Sequence, residues 1–333
     1  MLEHGGKLLA ASQTFGVPLA DWIDLSTGIA PMSYPIPDIP VSVWQRLPEE
    51  GDGLHDAACD YYGAQNLLAV NGSQAAIMAL PRLRSPGRVV VLFPSYGEYA
   101  PAWAAAGHEV IECAAEDVLQ QKTDVILLAN PNNPDGQIFS REALLAAAER
   151  LAQRQGWLVV DEAFADVDSQ NSLSAMAGTS AAENVIVLRS LGKFFGLAGA
   201  RVGFCIAAYP ILQRLQETLG PWPLAHPSRW IAQKALIDRL WQIKQKETLR
   251  VSSTRLATLL SRHGFPPHGM TALFQYVLHP QATLLLDAFA QQGILVRCFN
   301  HPPALRFGLP ATENDWERLT TALTELSYFS QKL

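Results

Sequence analysis

From about Asp52 onward the chain alternates short apolar runs with stretches of helical period, and this alternation restricts the fold more than any other feature. The runs are RVVVLF (88–93), DVILLAN (124–130), WLVVDEAF (157–164), NVIVLRS (184–190) and VGFCIA (202–207). Each is rich in β-branched residues and apolar at successive positions, as strands covered by helices on both faces are. Helical segments lie between them, for example 140–154, with Ser140 as N-cap and Glu142 in the first turn. Strands alternating with helices predict an α/β fold built on a mainly parallel sheet.

The flanks read differently. Residues 1–44 read as an arm, with a short helix near 7–15 and a proline-studded stretch from Pro31 to Pro40 that suits neither helix nor central strand. Residues 45–222 form the large α/β domain and 223–333 a small α+β domain. In the small domain a helical stretch over 228–262 is broken or bent. A strand (272–278), a helix (281–292), short strands near 294–298 and 304–308 and a closing helix from Glu313 follow.

Charge narrows the function classes. The 333 residues carry 25 Lys+Arg against 31 Asp+Glu, a net charge of −6, and are 49% hydrophobic. That excludes a disordered chain and argues against a nucleic-acid binder working through a basic face, though not against binding small anions. Cys59, Cys113, Cys205 and Cys298 are too dispersed for a zinc site or a disulfide framework, so no metal is expected. No signal-like run or span of about 18 apolar residues is seen, so the expectation is a cytoplasmic protein without membrane contact. The sequon at Asn71 is then idle.

In parallel α/β sheets chemistry gathers at the carboxyl ends of strands. Here those ends carry Asn130-Pro-Asn-Asn133-Pro-Asp-Gly136, then Asp161-Glu162, then Ser190-Leu-Gly-Lys193, with Arg201 eight residues on. Asn-Pro-Asp-Gly is a good turn anywhere, and a lysine in a glycine-rich loop is ordinarily solvated. A carboxylate closing an apolar run, such as Asp161, needs a partner. Taken together, an imine-forming lysine, a carboxylate for a ring nitrogen, and hydroxyl and guanidinium groups for a phosphate are the parts of a pyridoxal phosphate site. The chain has seven lysines, and Lys193 is the only one between Lys122 and Lys234.

In order and spacing these motifs resemble the fold-type-I aminotransferase superfamily across essentially the whole chain. The resemblance implies a seven-stranded-type, mainly parallel sheet between helices, a small C-terminal domain, pyridoxal 5'-phosphate as cofactor and a homodimer. It also implies roles. Gly72, Ser73 and Gln74 would open the helix that cradles the cofactor phosphate, which agrees with the preference of helix N-termini for anions. Ser190 and Arg201 would complete that cup, and Tyr96 would stack on the ring. Asn133 would donate to the ring oxygen, Asp161 would pair with the ring nitrogen, and Lys193 would form the imine. Phe164 stands where aminotransferases usually carry a tyrosine, and the segment around Arg46-Leu47-Pro48 lacks the tyrosine that commonly reaches the neighbouring subunit.

Three stretches, His4-Gly5-Gly6, DWIDLSTGIAPMSYP (21–35) and RSLGKFFGLAGARVGF (189–204), are similar to the branch holding histidinol-phosphate aminotransferases and threonine-phosphate decarboxylases, and most to the decarboxylases. That resemblance implies decarboxylation of L-threonine O-3-phosphate to (R)-1-amino-2-propanol O-2-phosphate in cobalamin biosynthesis. Transamination of histidinol phosphate is the alternative. The decarboxylase resemblance puts His4 and Gly5, with Asn133, near the substrate, although Lys7 departs from the asparagine often found there. Arg297 and Arg306 would bind substrate phosphate and carboxylate, work that suits a planar guanidinium fork. A serine hydrolase read from Ser190-x-x-Lys193 lacks a Lys-Thr-Gly partner motif, and a dehydrogenase would need a G-x-G-x-x-G that Gly196, Gly199 and Gly203 do not form. A non-catalytic binding protein is disfavoured by the intact Lys193 and Asp161.

Overall fold

The computed structural model describes residues 4–330, the side chains of 328–330 excepted. Among the described residues two compact units are present: one of residues 33–133 and 137–243, the other of residues 4–32, 134–136 and 244–330. Among the described residues thirteen strands run in chain order: β1 (Ile23–Asp24), β2 (Leu67–Asn71), β3 (Arg88–Leu92), β4 (Glu109–Cys113), β5 (Val125–Ala129), β6 (Trp157–Asp161), β7 (Val185–Ser190), β8 (Val202–Ile206), β9 (Gly269–Thr271), β10 (Phe274–Leu278), β11 (Ile294–Leu295), β12 (Arg297–Asn300) and β13 (Pro303–Gly308).

The larger unit is built on a seven-stranded sheet of order β2-β8-β7-β6-β5-β3-β4. Strands β4, β3, β5, β6 and β7 are mutually parallel, while β8 runs antiparallel to both β7 and β2. The five apolar runs of the sequence form the interior of this sheet. Its two edges, β2 and β4, were not among those runs, and the reason is physical. Both are partly exposed along their length, so they never become continuous apolar segments. Val89, Val91, Leu127, Val159, Ile186 and Leu188 pack on one sheet face with Ile77, Trp103 and Leu215 from three helices. Val90, Ile126, Leu158, Val160 and Val187 alternate onto the other face and are equally buried. The helix Arg141–Ala152 starts as its sequence requires: the Ser140 hydroxyl accepts from the Ala143 N–H at 3.2 Å.

The stretch predicted as a broken helix is two helices, His226–Ile237 and Arg239–Arg262. Asp238 makes the break, its carboxylate accepting from the Trp241 N–H at 3.0 Å.

The smaller unit carries an antiparallel sheet of order β12-β13-β10-β9 under the helix Ala282–Gln291, with Phe289 edge-on to Phe307 at 5.5 Å. Near the N-terminus β1 pairs in parallel with β11, and Ala11 and Trp22 pack against Ala290. Among the described residues no helix is long and apolar enough to cross a membrane.

Candidate active site

A cavity of about 130 Å³ opens at the carboxyl ends of β5, β6 and β7 in the larger unit, where a parallel sheet places its ligands. Gly72, Ser73, Gln74, Tyr96, Asn133, Asp161, Ser190, Lys193 and Arg201 all line it, together with Tyr99 and Phe164.

One wall is the start of the helix Gly72–Ala79, pressed onto β8. Gly72 has φ +67° and donates its N–H to the Arg201 carbonyl at 2.9 Å. A Cβ at Gly203 would lie 2.4 Å from the Ser73 nitrogen, so only glycine lets the helix N-terminus come this close. First-turn amides there carry the positive end of the helix dipole, and Arg201 adds a full charge beside them. Tyr96 donates to the Gln74 side-chain oxygen at 3.0 Å and meets Tyr99 edge-on at 5.4 Å.

The Asn-Pro loop after β5 is more than a turn. The Asn130 amide makes both bonds to the Phe139 backbone, at 2.9 and 3.1 Å. Asn132 is buried, donating to the Pro94 carbonyl and accepting from the Ser95 hydroxyl, each at 2.8 Å. These two pinned amides hold the loop that presents Asn133 to the cavity. Sequence reasoning quoted both asparagines and gave neither a task.

Asp161 is the most constrained charge at the site, 5% exposed. It accepts from the Tyr99 hydroxyl at 2.9 Å and from the Ala163 N–H at 3.0 Å. Burial pushes its carboxyl above the usual range, against those two bonds and the positive charges of Lys193 and Arg189. Tyr99 was missed. It opens the helix Tyr99–Ala105, three residues after Tyr96, and the loop between them carries no pattern that would show the contact of the two rings. Lys193 is half-buried, and its Nζ lies 5.4 Å from the centre of the Phe164 ring.

The arginines of the smaller unit form their own constellation. Arg297 on β12 and Arg306 on β13 are direct cross-strand partners, so both side chains stand on one face. Arg306 is 5% exposed, and burial together with the Arg297 charge pushes its guanidinium down to about 9, opposed by Asp24. Two like charges held side by side favour an anion between or above them. The Arg306 Nη2 donates to the Ser26 carbonyl at 2.7 Å. Ser26 is also where the HGG segment docks: the Gly6 N–H donates to its hydroxyl at 2.8 Å, and that hydroxyl donates to Asp24 at 2.6 Å. His4 is exposed. A Cβ at Gly5 would lie 2.4 Å from the Ser26 carbonyl oxygen, a contact backbone cannot yield. Gly5→Ala is therefore expected to lift the segment off Ser26. Amide hydrogen exchange at Gly6 should accelerate by about tenfold or more as its bond is lost, and an unchanged rate would contradict the docking.

The cavity suits pyridoxal phosphate on its own chemistry. A helix N-terminus with Ser190 and Arg201 suits a phosphate, and Lys193 supplies an amine. The buried carboxylate of Asp161, raised by burial, gains from a cationic partner such as a protonated ring nitrogen. Comparison with known proteins agrees. The family model described as aminotransferase class I and II matches residues 51–326. The chain is 53% identical to a threonine-phosphate decarboxylase of Pseudomonas aeruginosa, over 97% of each chain. It is 39% identical to a threonine-phosphate decarboxylase of Sinorhizobium sp over 98% of each. In structure it is similar to the histidinol-phosphate aminotransferase of Sinorhizobium meliloti solved in complex with pyridoxal-5'-phosphate, with a TM-score of 0.83 and 19% identity over 99% of each chain. With the family model spanning most of its length and a cavity whose side chains suit that cofactor, the chain belongs to the class I and II aminotransferase family.

Proposed function

We propose that the chain is a pyridoxal-phosphate-dependent decarboxylase that converts L-threonine O-3-phosphate to (R)-1-amino-2-propanol O-2-phosphate, a step of cobalamin biosynthesis. The observation that carries this reading is its identity to threonine-phosphate decarboxylases over nearly the full length of both chains. The Arg297–Arg306 pair supports it, because this substrate brings two anionic groups.

When bound, the cofactor supplies an electron sink for the pair left at Cα as carbon dioxide departs. The chain's residues do the rest. Gly72, Ser73, Gln74, Ser190 and Arg201 would hold the cofactor phosphate, and Tyr96 would pack on its ring. Asn133 donates to the ring oxygen. Asp161, oriented by Tyr99 and the Ala163 N–H, keeps a proton on the ring nitrogen. Lys193 holds the cofactor before substrate arrives and then returns a proton to Cα. Arg297 and Arg306, with His4 and Gly5 of the docked segment, bind the substrate phosphate and carboxylate. Gripping both anions uses remote binding energy to select which bond at Cα breaks. Phe164 carries no hydroxyl, so Asn133 acts on the ring oxygen without a phenol at that position.

The same reading makes the enzyme a cytoplasmic homodimer. Exposed apolar side chains on the larger unit, Val41, Trp44, Leu47 and Trp222, each 58–69% exposed, support a subunit interface.

Incubating the cofactor-loaded protein with L-threonine O-3-phosphate should release carbon dioxide and the amine in equal amounts. Conversion of the cofactor to its pyridoxamine form with histidinol phosphate, and no carbon dioxide from threonine phosphate, would sink the proposal.

A further inference from the structure

Behind Asp161 and Ser190 lies a buried ion cluster that none of the roles above uses. Side chains alternate along a strand. Asp161 and Ser190 face the cavity, and their chain neighbours Glu162 and Arg189 therefore turn to the opposite face of β6 and β7. There Arg189 reaches two carboxylates at once, with Nη1 to Glu162 at 2.8 Å and Nη2 to Asp166 at 2.8 Å, and all three side chains at most 3% exposed. Glu162 is saturated, accepting also from the Leu173 N–H at 2.6 Å, the Ser174 hydroxyl at 3.0 Å and the Ser172 hydroxyl. Asp166 accepts from the Tyr61 hydroxyl at 3.1 Å, and the Arg189 guanidinium lies 4.6 Å over the Tyr62 ring.

Stability alone does not account for this arrangement. A buried ion pair recovers little beyond its desolvation cost, and well-packed apolar groups commonly serve a core as well. What a guanidinium fork adds is direction: two N–H···O bonds from one rigid plane restrain both partners and the strands that carry them. The β6–β7 ladder closes at this point, with Asp161 paired to Leu188 and the Glu162 N–H donating to the Leu188 carbonyl at 2.9 Å, so the side chains of Glu162 and Arg189 carry the connection beyond it.

We propose that Arg189 is a positioning residue that clamps the ends of β6 and β7 from behind, fixing how Asp161 and Ser190 face the cofactor. The proposal rests on reading the cavity as the pyridoxal phosphate site and is independent of the substrate.

The test compares cofactor-loaded wild type, Arg189→Met, Arg189→Lys and Glu162→Gln. Three properties are read: the visible absorbance across pH, the rate of cofactor loss after gel filtration, and the thermal melt. Arg189→Met should lose cofactor roughly 10–100-fold faster, the size of loss seen when hydrogen-bond partners that orient metal ligands are removed. The midpoint of its absorbance titration should move, and Arg189→Lys should recover part of both changes. A folded Arg189→Met whose melt is lowered but whose titration and cofactor retention match wild type would overturn the proposal. If that variant does not fold, Glu162→Gln decides, because it keeps the side-chain shape while removing one charge; an unmoved titration and retention there overturn it equally. A wild type that takes up no cofactor would instead overturn the reading of the cavity.

Discussion

Lys193→Ala is expected to abolish the imine absorbance band of the cofactor-bound protein and to lower decarboxylation by about 10⁴-fold or more, since the proposed imine-forming amine and proton donor are lost together. Among the described residues lining the cavity, Lys193 is the only lysine. The fold should survive. The segment is anchored through its backbone and its neighbours, with the Leu191 N–H on the Val202 carbonyl at 3.1 Å, the Gly196 N–H on the Lys193 carbonyl at 3.2 Å, and Leu191, Phe194 and Phe195 each at most 1% exposed. Lys193 itself is only half-buried, so shortening its side chain leaves these buried neighbours in place. A variant with a normal melt, no imine band and no carbon dioxide release fits the assignment. A retained band would disprove it.

Periodicity made the interior strands legible, because each is buried on both sides and reads as one apolar run. It did the same for the helix that Ser140 caps. It could not expose β2 and β4, whose half-exposed edges carry no such run. The cavity was legible for a related reason. Its polar groups sit at the ends of apolar strands, where the sequence changes character abruptly, and the family resemblance then supplied their roles. What stayed hidden depends on partners far apart in the chain. Tyr99 reaches Asp161 across 62 residues, and the Arg306 guanidinium reaches Ser26 across 280. Arg189 and Glu162 were in plain view beside Ser190 and Asp161. Their pairing depends on the strand register, which sets the two on one buried face of neighbouring strands. His4-Gly5-Gly6 is the intermediate case: the resemblance pointed to it, while its attachment through Ser26 rests on an approach that only a missing Cβ permits.

Asp161→Asn should separate the chemistry of the site from its stability, with effects of opposite sign. Asparagine nearly preserves shape and can still accept from the Ala163 N–H, with its amide donating to the Tyr99 oxygen in exchange. It cannot hold a proton on the ring nitrogen. Decarboxylation should fall by roughly 10²–10³-fold, the usual loss when one preorganised electrostatic group is removed. Without cofactor the balance reverses. Burial raises the Asp161 carboxyl in the folded protein, so between its unfolded and folded titrations the native state binds more protons than the unfolded one, and stability falls as pH rises. Asparagine does not titrate, so the cofactor-free variant should melt at or above wild type near neutral pH. Its advantage should grow as pH climbs from about 4, the ordinary range of an exposed carboxyl. The added stability that cofactor confers should meanwhile shrink, because that gain follows the affinity of the folded state for its ligand. Melts of both proteins with and without pyridoxal phosphate, across pH, check the pair of signs. A variant that decarboxylates at the wild-type rate, or is less stable without cofactor at every pH, would overturn the proposed pairing of Asp161 with the ring nitrogen.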